Sequence, residues 1–96
     1  MTTRHETYTL TTTPVELTIL KATDHIRGST LIFNVDKLST NTAMIGADNT
    51  ITDTDYGFHL DPDDLVTISG EYVAADTFWA RAKTGTSTLH VMIIGG

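Results

Sequence analysis

Short acidic and amide side chains crowd into one stretch of this chain, with Asp48, Asn49, Asp53, Asp55, Asp61, Asp63 and Asp64 inside seventeen residues. Oxygen ligands at such density suit a hard cation, and Asp53, Asp55, Gly57, His59, Asp61 and Asp64 fall at spacings that resemble a calcium loop. The match fails at the two positions that shape such a loop: Phe58 stands where the sharp turn needs glycine, and Asp64 where a bidentate glutamate is required. Asx-turns and a solvated surface are the simpler use of these side chains. Asp61 and Asp64 are also a formal carboxylate pair for glycoside hydrolysis, but a 96-residue chain leaves little room for a substrate cleft. His5, His25, His59 and His90 show no metal-ligand spacing. Hydroxyls are abundant, yet there is no Gly-x-Ser-x-Gly elbow, no thiol and no glycine-rich phosphate loop. The sequence therefore names no catalytic residue, no metal ligand and no cofactor.

Composition bounds the partners. The net charge of −6 repels a nucleic-acid backbone unless the six Lys and Arg residues gather on one face, and their order suggests no gathering. With 40% hydrophobic and 19% charged residues the chain is too apolar for disorder, and its many β-branched threonines suit pleated strands. The first residues hold no apolar signal region, and no run approaches the ~18 residues of a membrane span. A soluble chain that touches neither membrane nor nucleic acid is the expectation.

Alternation of apolar and polar residues places the strands. Residues 7–12 alternate weakly, with Tyr8 and Leu10 on one side, and Pro14 separates them from a clearer run in which Val15, Leu17 and Ile19 face one way. Residues 1–13 read as an N-terminal arm or edge strand, and residues 14–96 as one β domain. Residues 30–35 are the best candidate for a central strand, and residues 43–46 and 65–68 are short apolar runs. Residues 72–83 suit either a short helix, given their alanines, or a strand in which Phe78, Ala80 and Ala82 alternate with Trp79 and Arg81. A polar turn at residues 84–87 then leads into a final apolar strand, reading as a hairpin. The expected fold is all-β, an antiparallel β-sandwich or small β-barrel of about seven strands.

Residues 43–68 organise the chain. Between two apolar runs lies a long polar excursion shaped by Gly46, Gly57 and Pro62, with Gly85 doing the same in the later turn. Ile45-Gly46, then Gly57, Leu60 and Pro62, then Phe78-Trp79-Ala80, then Gly85-Thr86 and an apolar strand over residues 89–94 resemble small β-structured virion proteins of tailed bacteriophages. One departure is Asp63, which stands where that pattern has the glycine of a Pro-Gly turn. The resemblance implies a non-enzymatic virion protein, made in the host cytoplasm and carried on the capsid surface or tail. A capsid decoration (cement) protein that binds the major capsid protein or other virion proteins is favoured over a head–tail or tail-tip component. From another class, a small carbohydrate- or protein-binding module would use Trp79, Tyr72 and Tyr56 as a stacking platform.

The last strand is apolar on one face and half polar on the other, so its second face needs cover. His90 and Met92 on that face, with Trp79 and Arg81 extending it from the neighbouring hairpin strand, are interface candidates, and Tyr8 and Leu10 join them from the N-terminal segment. A closed homo-oligomer, favoured as a trimer, would bring such patches together.

Overall fold

The computed structural model describes residues 3–21, 30–68 and 78–94. Among these residues eight strands run in order: β1 (Arg4–Leu10), β2 (Val15–Glu16), β3 (Thr30–Val35), β4 (Ala43–Gly46), β5 (Phe58–Leu60), β6 (Leu65–Ile68), β7 (Trp79–Ala82) and β8 (Ser87–Ile94). They form two four-stranded antiparallel sheets, β1-β8-β3-β6 and β2-β7-β4-β5. Strand β1 pairs with β8, β2 with β7, β3 with β6 and β4 with β5. The first half of the chain thus lies antiparallel to the second as one long ribbon, rolled so that β3 also meets β8 and β4 meets β7. This is the jelly-roll form of the expected all-β sandwich.

Alternation sets what fills the space between the sheets. Leu31, Phe33 and Val35 of β3 and Leu89, Val91 and Ile93 of β8 point inward, and Ala43, Ile45, Ala80 and Ala82 meet them from the second sheet. Phe33 is fully buried, with Phe58 edge-on at 5.8 Å and Phe78 tilted at 5.7 Å between ring centroids. The alanines of β7 fit because the large side chains opposite need the room.

Several expectations change. Phe58–Leu60 is a strand, which divides the polar excursion between the two apolar runs into two separate turns. The run from Val15 is ladder-paired only over Val15–Glu16 before the chain tightens into a 3-10 turn at Thr18–Lys21, although Leu17 and Ile19 are buried as their alternation implies. Strands β7 and β8 are not a hairpin: they belong to different sheets, and the turn with Gly85 at φ +57° carries the chain across the sandwich. A polar glycine turn suits a hairpin and a sheet-crossing corner equally, which is why periodicity did not separate them. Trp79–Ala82 is strand and not helix; residues 72–77 lie outside the described residues. Arg4–Leu10 is the outer strand of the first sheet.

Candidate functional site

The two sheets treat their outer faces differently. On the second sheet, register puts Glu16, Trp79 and Gly46 in one outward row and Arg81, Met44 and His59 in the next. Met44 and Ile51 are nonetheless buried outside the central core, and Ile51, from the connection over residues 47–57, lies against Gly46 on this face. A Cβ on Gly46 would collide with the Cγ2 methyl of Ile51, so glycine here is what lets the loop lie flat. The loop is braced from within: Asp48 Oδ1 accepts from the Thr50 N–H at 2.9 Å, Thr52 Oγ1 accepts from the Asp55 N–H at 2.9 Å, and the Gly57 N–H donates to the Ile45 carbonyl at 2.8 Å. Its short polar side chains serve as turn acceptors, the alternative their composition offered.

No chain segment among the described residues does the same for the first sheet. Its outward rows run across all four strands: His5, Met92, Ile32 and Thr67 in one, Thr7, His90, Asn34 and Leu65 in the next. Leu65 is 61% exposed, Met92 37% and Ile94 40%. Between the rows lies an open groove of about 400 Å³ with Ile32, Leu65 and Met92 as its apolar part and His5, Asn34 and His90 as polar points.

His90 sits at the centre and holds three elements together. Its Nε2 lies 3.0 Å from Asp36 Oδ1, just beyond β3, and its Nδ1 lies 3.0 Å from Thr7 Oγ1 on β1. With the proton on Nε2 donated to the carboxylate, Nδ1 accepts the threonine O–H. The bond from His90 holds the Asp36 carboxyl below the ordinary carboxylate value, helped by the Leu38 N–H donating to Oδ2. Hydroxyl, imidazole and carboxylate stand in the order of a nucleophile, its base and its orienter. The His90 and Asp36 side chains are 41% and 34% exposed, so this relay works in a high-dielectric setting where its electrostatics are weak.

The candidates named from sequence scatter over the molecule. His90 and Met92 lie on the outer face of the first sheet, Trp79 and Arg81 on that of the second, so they do not form one patch. Arg81 is folded back on its own strand, with Nε donating to the Ala82 carbonyl at 2.9 Å and Nη2 to that of Lys83 at 3.1 Å. Leu10 is fully buried in the core and offers no surface. Tyr8 points beneath the first sheet, where its hydroxyl accepts the Ile19 N–H at 3.1 Å; burial, and then its bond to Glu6, push its pKa up to about 12. Tyr56 packs edge-on against His59 at 5.6 Å, and Tyr72 lies outside the described residues, so the stacking platform is not assembled among those described. Asp61 and Asp64 are committed to their turn: Asp64 Oδ2 accepts the Asp61 N–H at 3.0 Å, and Asp61 Oδ1 accepts the Thr42 hydroxyl at 2.8 Å. Pro62 and Asp63 occupy the centre of that turn, with Asp63 at φ +72°.

Sequence reasoning missed Thr7, Ile32, Asn34, Asp36 and Leu65. The half-polar second face of the last strand was the visible signal; the strands flanking it were not readable from periodicity.

No family model matches the chain, and no curated protein matches its sequence. Solved structures of low sequence identity share its jelly-roll fold. A Cupin_2 domain of an XRE family transcriptional regulator from Enterobacter cloacae superposes with a TM-score of 0.62 at 17% identity, covering 98% of this chain and 82% of that one. A de novo designed double-stranded β-helix gives 0.55 at 10% identity over 95% and 99%. The mitogen of Yersinia pseudotuberculosis gives 0.51 at 11% over 99% and 86%. A regulator domain, a designed chain and a mitogen share this architecture, so function has to be argued from the surface and not from the fold. Among the described residues no helix is long and apolar enough to cross a membrane.

Proposed function

We propose that the chain is a non-enzymatic structural protein of a tailed-phage virion, a capsid decoration protein that docks on the major capsid protein through the outer face of its first sheet. The observation that carries the docking face is the contrast between the sheets: the outer face of the second buries its apolar Met44, with Ile51 laid against Gly46, and that of the first leaves Leu65, Met92 and Ile94 in solvent. Contiguous exposed apolar surface rimmed by polar groups is what a protein interface leaves behind when its partner is absent. The phage assignment rests on the resemblance of the Ile45 to Ile94 segment. The jelly-roll architecture, which also serves viral capsid domains, is compatible with it. A filled apolar interior and a water-exposed Thr7–His90–Asp36 relay favour binding over catalysis.

The test is co-sedimentation of the purified protein with empty capsids of the virus that encodes it. Wild type is expected to pellet with the shells, and L65K and M92K to stay in the supernatant while melting like wild type. Binding to tails but not to shells would move the assignment to a head–tail or tail-tip component. Equal binding by L65K, M92K and wild type would remove the outer face from the interface.

A further inference from the structure

Among the described residues the jelly roll leaves four sheet edges, and three of them are blunted. Strand β2 has two residues and follows Pro14; β5 has three and β6 four, with Pro62 in the turn between them. Short edge strands and nearby prolines are the devices that stop sheets from adding strands. Strand β1 is neither short nor interrupted by proline, and the two charges it carries, Arg4 and Glu6, are opposite in sign, so they complement an antiparallel copy. It is seven residues long, contains no Pro, Gly or Lys, and runs against β8 without a bulge from Arg4 opposite Ile93 to Leu10 opposite Ser87. Its residues 5–7 are all exposed. A long, regular edge of this kind is a template for one more strand.

We propose that the added strand is β1 of a second copy of this chain, paired antiparallel about a twofold axis at His5. A twofold axis normal to the sheet keeps outward residues opposite outward residues, so the axis must pass through a residue position. An axis at Glu6 sets two carboxylates face to face, which is repulsive. An axis at His5 sets Arg4 of each copy opposite Glu6 of the other, giving two opposite-charge pairs by symmetry, with Thr3 opposite Thr7 outside them. An axis at Thr7 makes no such pair and places buried Leu10 opposite Arg4. The result is one continuous eight-stranded sheet in which the two outward grooves lie side by side. This pairing is independent of whether the grooves dock on a capsid, since it is read from the edge and not from the face.

The experiment is sedimentation velocity on wild type, R4E, E6R and the R4E/E6R swap, with thermal unfolding of each to confirm the fold. Wild type is expected to be dimeric at high concentration, each single reversal to weaken the dimer about tenfold or more, and the swap to restore it. Because the chain has no cysteine, H5C and T7C report register directly. H5C places two thiols across the axis and should oxidise to a dimer, whereas T7C should not. A monomeric wild type, a folded swap variant that stays monomeric, or cross-linking through T7C in place of H5C would each overturn the proposal.

Discussion

Asp63 occupies a backbone position that glycine should hold, and replacing it is a direct test of the turn that presents Leu65. Its φ of +72° is left-handed, and the Asp64 N–H donates to the Asp61 carbonyl at 2.9 Å to close the turn over Pro62. The Asp63 N–H also donates to the Val35 carbonyl at 3.0 Å, so the conformation is held by β3 and cannot relax on its own. A left-handed L-residue costs roughly 1–2 kcal/mol, with aspartate toward the lower end because its short polar side chain tolerates that region. Glycine removes the cost but gives the unfolded chain extra freedom worth about 0.4–1 kcal/mol. The difference favours D63G by about 0.5 kcal/mol, a rise in Tm of about 2–4 °C for a domain of this size. D63A keeps the steric penalty without the polar tolerance, so it should melt below wild type. Calorimetry at neutral pH on the three proteins decides. If D63G melts lower and D63A does not, the aspartate side chain stabilises the fold in a way the turn geometry does not contain, and the strain argument is wrong. On the proposed docking, D63G should bind capsids as wild type does, because Leu65 keeps its place in the β3–β6 ladder.

Other perturbations probe the core, the sealed face and the two shifted ionisations. F33A should lose about 3–5 kcal/mol, a large part of the ~5–14 kcal/mol available to a chain of this length, whereas F33L should lose less than about 1.5 kcal/mol; urea denaturation measures both. G46A should cost about 1–3 kcal/mol by pushing Ile51 off the second sheet, and G46A/I51A should cost less than the two single changes added, as a double-mutant cycle by denaturation would show. Y8F should cost about 1 kcal/mol at neutral pH by orphaning the Ile19 N–H. The Tyr8 pKa is raised from 10.0 to about 12, so the phenol's stabilisation is intact below pH 10 and lost as pH rises through 12, and Y8F should lack that alkaline decline. The Asp36 carboxyl is depressed below 3.8, so its contribution is present above that value and lost as pH falls beneath it. The stability difference between wild type and D36N should therefore shrink in denaturation curves taken below pH 4.

Class, strand identity and the inward residues of the long strands were legible because period-2 alternation records which side of a strand is wet. Leu31, Phe33 and Val35, or Leu89, Val91 and Ile93, announce their face without any knowledge of the partner. Pairing was not legible, because jelly-roll partners are far apart in sequence: His5 meets Met92, and Ile32 meets Thr67. The short strand β5 was hidden for another reason. Phe58–Leu60 alternates only once between Gly57 and Pro62, and those residues signal a turn more strongly than three residues signal a strand. The same limit split the candidate site. Met92 and His90 were identifiable as one half of a face, but Ile32, Asn34 and Leu65 come from strands that only the roll brings alongside, and Asp36 meets His90 across 54 positions of sequence.

The burial of Met44 shows what a covered outer face looks like in this protein, and it sharpens the reading of the uncovered one. Methionine on the outward side of β4 is 2% exposed, and at the next outward position of the same strand Gly46 makes room for Ile51 of the following connection. Met92, on the outward side of β8, is 37% exposed, and Ile32, Leu65 and Ile94 on the same face are left apolar where threonine would have served the ladder equally well. Thr7, Thr9 and Thr88 on the same face show that the sequence places threonine outward where nothing more is needed. Apolar residues kept at Ile32, Leu65, Met92 and Ile94 exceed what the sheet itself needs, which is the pattern the proposed docking face requires. His90, bonded at both ring nitrogens, ties β1 and the Asp36 turn to β8 and so holds that surface in one shape, the preorganisation that the proposed docking would draw on.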